Sequence, residues 1–178
     1  MIRFLLIGLA CSIGCAHTIN IDQDLYPKRY EFVSHLPKLV DRSIIYDPSY
    51  RRVDFPCGDV PSNIGVCSDV VVRAFLNIDV CLQQEVFNYR KRKNLSIDTN
   101  IDHRRVRNLG AYFKSKGWEI SKNSEFQPGD IIWWKLGTLD HIGIVYHNGR
   151  VLHNIGRGQS VDVKPDHYRI YKVYRINA

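Results

Sequence analysis

Hydrophobic residues recur along this chain with two periods, helical through the first two thirds and strand-like in the last third. From Glu31 to Val40, the apolar positions Phe32, Val33, Leu36, Leu39 and Val40 follow the spacing of an amphipathic helix. Ile44 to Tyr46 is a short strand candidate, closed by the Asp47-Pro48 turn signal. Phe55 to Asn63 is rich in turn residues and reads as a loop. Ile64 to Leu76 then carries Val66, Val70, Val71, Ala74 and Phe75. That pattern predicts a buried helix capped by Ser62 or Asn63, with Cys67 in its first turn. Leu82 to Lys93 and Arg104 to Lys116, the latter ended by Gly117, predict two more helices.

After Phe126 the period changes. Gln127-Pro128-Gly129-Asp130 is a turn and Ile131 to Trp134 a buried strand. His141 to Tyr146 and Arg150 to Asn154 form a hairpin across His147-Asn148-Gly149, and Tyr168 to Arg175 closes the sheet. Helices followed by antiparallel strands define an α+β fold, with N-terminal helices packed on an antiparallel sheet. At 178 residues the chain is one domain's worth of protein. The organisation expected is a leader over 1–16, an extension with one helix over 17–54, and the main domain over 55–178.

The leader changes where the protein is expected to work. Met1-Ile2-Arg3 gives a positive start, Phe4 to Ile13 is apolar, and Gly14-Cys15-Ala16 offers a small-residue cleavage site before His17. This is a secretory pattern, too short to span a bilayer; its alternatives are a buried N-terminal helix, or a lipoprotein acylated at Cys15 or Cys11. Export to the periplasm, cell envelope or medium is the expectation, with membrane attachment only if lipidated. Cleavage after Ala16 leaves Cys57, Cys67 and Cys81, an odd number for an oxidising compartment. Only a Cys57–Cys81 bridge would leave Cys67 free. Net charge is +7, partly clustered at Arg90 to Lys93 and at Arg104, Arg105 and Arg107. A basic surface suits an acidic polymer, and for an exported protein that means cell wall or anionic lipid rather than nucleic acid.

The chemistry is expected at Cys67. A helix start lowers a thiol's pKa through backbone dipoles, and the free N–H groups of the first turn can hold an oxyanion. A lone cysteine on an apolar helix is more often a core residue. The histidines alter that balance. His141 opens one strand and His153 lies on the next, and a base imidazole needs a second group to orient it. A two-residue Asn148-Gly149 turn would set His153 opposite Ile144, facing away. A three-residue loop over 147–149, with Gly149 left-handed, sets it opposite Gly143 and puts His141, Gly143, Val145, Val151 and His153 on one face. The triad requires the second arrangement.

Cys67-Ser68 at a helix start, Gln127-Pro128-Gly129-Asp130-Ile131-Ile132, His141-Ile142-Gly143-Ile144, a hairpin and His153 together resemble the NlpC-type cell-wall peptidases of the papain-like clan. Gly65-Val66-Cys67-Ser68-Asp69-Val70-Val71, Asn100 to Val106 and His153-Asn154-Ile155-Gly156 look like a bacterial family of that clan still labelled a domain of unknown function. The resemblance covers roughly Phe55 to Asn154. It implies a papain-like fold, with Cys67 as nucleophile, His141 as base and His153 as the third polar residue. The substrate it implies is an amide bond in peptidoglycan stem peptides. Val66 and Asp69 stand where NlpC-type enzymes carry Asp and Gly, and Phe55 and Cys57-Gly58 answer at best to their upstream Tyr and Gly-Gly. These departures bear on the substrate groove.

Asp102, His103, Arg104 and Asn154 complete the candidate set, the first three for substrate carboxylates and Asn154 either for a hydrogen bond within the site or simply as the end of a strand. A helix cap with a solvated basic turn is the competing reading of 102–105, and a capping or loop role is expected of Asp69 and Asp140. No CxxC or HxxxH spacing suggests a metal, no cofactor is expected, and the chain is expected to act as a monomer. Two other functions share these residues: a non-catalytic wall-binding domain, and a thiol acyltransferase.

Overall fold

A computed structural model describes residues 21–177, so the expected leader over 1–16, with Cys11 and Cys15, lies outside the described residues. The helical periods resolve into α1 (Pro27–His35), followed by a 3₁₀ turn over Leu36–Leu39, α2 (Cys67–Leu76), α3 (Leu82–Arg92) and α4 (Val106–Ser115). Two short strands, β1 (Ile45–Tyr46) and β2 (Ile64–Gly65), pair in parallel. The main sheet contains β3 (Glu119–Ile120), β4 (Ile131–Leu136), β5 (Leu139–Val145), β6 (Val151–Asn154), β7 (Gln159–Val163) and β8 (Arg169–Tyr174). Its order is β3-β8-β4-β5-β6-β7 and its pairings are antiparallel. The fold is α+β.

Several elements differ from the sequence expectation, α1 among them, which spans Pro27–His35 where Glu31 to Val40 was expected. Ile64 and Gly65 are extended, because both pair with β1, so α2 starts at Cys67 rather than Ile64. Its cap is correspondingly not Ser62 or Asn63. The Asp69 side chain, in the first turn, accepts the N–H of Val66 at 2.7 Å, half of a capping box. The expected helix from Arg104 begins at Val106, and Asp102–Arg104 form a 3₁₀ turn ahead of it. Strands β3 and β7 were not anticipated, so β7 rather than the last strand forms one edge of the sheet.

One sheet face and the helices enclose the main core, with Val70, Val71, Phe75, Leu82, Leu109, Phe113, Ile142, Ile144 and Leu152 fully or almost fully buried. Helix α2 is buried nearly all round, which explains how a segment with three consecutive valines remains helical: packing outweighs the modest β-branched penalty. Phe32, Val33 and Leu36 of the N-terminal segment belong to this core. The opposite face carries a smaller cluster of Ile132, Trp134, Val145 and Val151, with Tyr168 and Ile170 against it. The predicted Gln127-Pro128-Gly129-Asp130 turn is a junction. The wholly buried Asp130 carboxylate takes Arg175 Nη2 at 2.7 Å and Arg29 Nη2 at 3.4 Å, binding α1 and the C-terminal strand to it. A Cys57–Cys81 disulfide ties the loop before β2 to the start of α3, and among the described residues Cys67 is the free cysteine.

Candidate active site

The hairpin between β5 and β6 decides where His153 points. Ile144 pairs with Leu152 and Val145 with Val151, which leaves a three-residue connection and sets His153 opposite Gly143. Gly149 has φ +74°, the left-handed residue that this loop requires. His141 and His153 therefore share the face of Trp134, whose ring stacks on His141 at 5.5 Å. A Cβ at Gly143 would lie 2.6 Å from Val151 Cγ1 and 3.0 Å from His153 Cβ, so only glycine leaves room for this packing. The two rings meet directly: His141 Nε2 and His153 Nδ1 are 2.8 Å apart.

Beyond Ile144 the β5–β6 ladder stops, and the N-terminus of α2 approaches there. The Cys67 sulfur accepts the N–H of Ile142, next in sequence to His141, and also faces the N–H groups of Ser68 and of Cys67 itself. Asn154, at the end of β6, donates Nδ2 to the Gly65 carbonyl at 3.2 Å, fastening the chain just before Cys67 to the strand that carries His153.

The expected lowering of the thiol pKa is not what this environment produces. Burial pushes Cys67 up to about 11, with the Asp69 carboxylate adding to it, and the three N–H groups offset only part of that rise. Burial also lowers His141 to about 3, reinforced by His153 and opposed by Asp162. At neutral pH Cys67 is thus a neutral thiol and His141 a neutral imidazole.

A groove of about 510 Å³ opens at Cys67, lined among others by Tyr46, Ser68, Arg104, Arg105, Arg107 and Asp140. The hydroxyl of Tyr46 hydrogen-bonds the Cys67 sulfur, and burial followed by the charges of the thiolate and Asp69 holds its pKa up at about 12. Tyr46 was legible only as a strand residue.

A family model described as a domain of unknown function, DUF1287, matches residues 33–176. The chain belongs to the DUF1287 family. It is also 40% identical to the "Uncharacterized protein YijF" of Escherichia coli (strain K12), over 76% of each chain.

In this DUF1287 domain the remaining candidates divide by depth. Arg104, 6% exposed, makes a forked ion pair with Asp69 through Nε at 2.7 Å and Nη2 at 2.9 Å, while its Nη1 is buried without a hydrogen-bond partner. It is the one of the four substrate-binding candidates that lines the groove. Asp102 is buried and engaged with Arg90, with the N–H of Asp98 and with Asn108. His103 is 2% exposed, and burial lowers its pKa to about 4. The competing expectation of a solvated basic turn at 102–105 fits Arg105 alone, since residues 102–104 are buried. Asp69 does cap its helix, and Asp140 takes Trp133 Nε1 at 2.7 Å and Arg107 Nε at 2.6 Å beside the groove. Among the described residues no three His, Cys, Asp or Glu side chains gather as metal ligands.

Asp162 is the residue that sequence reasoning missed. Its Oδ1 lies 2.6 Å from His153 Nε2, and its Oδ2 accepts from Ser160 Oγ at 3.0 Å. The available signal was Gln159-Ser160-Val161-Asp162-Val163, a short alternating run after the breakers Gly156 and Gly158.

Proposed function

We propose that this DUF1287 protein is an exported cysteine hydrolase of the papain-like clan, related to NlpC-type cell-wall peptidases, that cleaves amide bonds in peptidoglycan stem peptides. The observation that supports this reading is the hydrogen-bonded pair His141–His153 on β5 and β6, together with the α2 thiol taking the N–H of Ile142, next in sequence to His141. His141 already uses Nε2 to reach His153, so Nδ1 is the nitrogen assigned to the thiol. In the reaction Cys67 gives its proton to His141 as sulfur attacks the carbonyl, and N–H groups at the start of α2 hold the oxyanion. His141 then protonates the leaving amine. It next activates the water that hydrolyses the thioester, returning the free thiol. A neutral resting pair suits this order, because the thiolate need form only when an acceptor carbonyl is in place.

Export is supported by the leader pattern and independently by the Cys57–Cys81 bridge, since stable disulfides belong to oxidising compartments. For the substrate, the support is the groove itself. Arg104, Arg105 and Arg107 give it positive charge suited to the carboxylates of a stem peptide. Asp102, His103 and Asn154 serve that wall from behind, holding the turn and the Cys67 approach.

The test is digestion of purified peptidoglycan with mass analysis of the fragments, with and without an added amine. The wild type releases muropeptides cut at an amide and Cys67→Ala releases none. Wild-type release by Cys67→Ala would refute the mechanism, and aminolysed products would identify acyl transfer instead.

A further inference from the structure

Two histidines in series leave one matter open: which nitrogen of His141 carries the proton. We propose that Asp162 is a positioning residue that fixes the tautomers of both histidines, so that His141 keeps a bare Nδ1, the nitrogen a base needs. The proposal rests on the cysteine–histidine reading above.

The argument follows from donor and acceptor capacity. An ionised carboxylate can only accept, so the 2.6 Å contact with Asp162 requires His153 Nε2 to carry a proton. A neutral imidazole has one N–H, so His153 Nδ1 is then an acceptor. The 2.8 Å contact between the rings therefore takes its proton from His141 Nε2, and the lone pair of His141 falls on Nδ1. Without a fixed acceptor at the far end, nothing sets the direction of this chain. Reversed, it would give His141 a proton on Nδ1, and that nitrogen could not accept one from Cys67.

The fold builds this contact deliberately. In the β6–β7 ladder Leu152 pairs with Val161 but Val151 pairs with Val163, so Asp162 is the extra residue of a β-bulge. Bulges re-aim side chains beside functional sites, and this one sets Asp162 and Val163 on the face of His153 and Val151. Burial raises the Asp162 pKa, but hydrogen bonds from His153 and Ser160, with the charges of His153 and Arg42, leave it lowered, so it remains an acceptor at neutral pH. A cavity of about 460 Å³, with Arg157, His167 and Tyr168 on its walls, opens at His153 and Asp162. Water entering there can donate as readily as accept, so it is no substitute for the carboxylate.

The test is long-range proton–nitrogen NMR of the full chain labelled in histidine nitrogen, on the wild type, Asp162→Ala and Asp162→Glu, at pH 7. In the wild type, both rings carry their single proton on Nε2. Asp162→Ala shifts both rings toward averaged tautomers, and Asp162→Glu restores the wild-type pattern. Peptidoglycan digestion falls about 100-fold or more in Asp162→Ala, within the span covered by loss of a general base, and recovers at least in part in Asp162→Glu. A wild-type His141 protonated at Nδ1, a doubly protonated His153, or unchanged tautomers in Asp162→Ala would overturn the proposal. The tautomers are read without turnover, so they stand or fall apart from the hydrolase reading, which Cys67→Ala tests.

Discussion

At Cys67 the helix terminus and the surrounding protein act on the thiol in opposite directions. Three N–H groups favour the thiolate, yet burial and Asp69 outweigh them and hold the thiol near 11. The proposed base is displaced the other way, to about 3, so at pH 5 to 8 the His141 ring is neutral rather than charged. The sign of the acid response follows. Protonation disables a base, and a base lowered to about 3 is disabled only near that pH, not near the ordinary 6.5. Peptidoglycan digestion is therefore expected to keep most of its rate from pH 7 to pH 5, measured as initial fragment release. A rate already halved at pH 6.5 would contradict this. The pairing of His141 with His153 was legible, because the loop chemistry between their strands fixes which face each occupies. The raised thiol pKa was not legible, because it depends on burial and on Asp69 lying beside the sulfur, both products of the fold.

At the scale of elements, a loop and a missing side chain bring the histidines together. The three-residue connection fixes the register, and Gly143 lets Val151 and His153 close over β5. Gly143→Ala forces a methyl group against Val151 and the His153 stem, an overpacking that costs about 1–3 kcal/mol. Urea unfolding is expected to show that loss, with digestion reduced further than the stability change accounts for. Unchanged stability and activity would mean that the hairpin is looser than described. Turn chemistry at Asn148-Gly149 made this hairpin readable from residues alone. The bulge at Asp162 was not, since an extra residue in a ladder leaves no mark on a short alternating strand. The two-residue β3 was too brief to show a period, and Ile64-Gly65 looked helical because its pairing partner lies nineteen positions away in the register with Ile45-Tyr46.

For the whole molecule, acid is the condition that strains the fold. His141 and His103 are buried and held neutral, at about 3 and about 4. Their folded values lie below 6.5, so their stabilisation is complete above pH 6.5 and is lost as pH falls toward those values. The linked slope is about 1.4 kcal/mol per pH unit for each group, or about 2 kcal/mol each between pH 6.5 and pH 5. The urea midpoint is expected to fall over that interval and to fall less in His103→Gln; a flat midpoint would show that both rings are protonated in the folded protein. The global pattern, helices before an antiparallel sheet, was plain from the change of period after Phe126, whereas the packing of the N-terminal segment into the main core was not, because its apolar stripe does not say what it covers. The central claim is that Cys67 and His141 act as a pair. Its most direct measurement is the initial rate of muropeptide release from purified peptidoglycan, followed by mass spectrometry at pH 7 in the wild type and in His141→Ala. The account predicts a rate at least about 100-fold lower in the variant, the loss expected on removing a general base. An equal or faster rate in His141→Ala would contradict it.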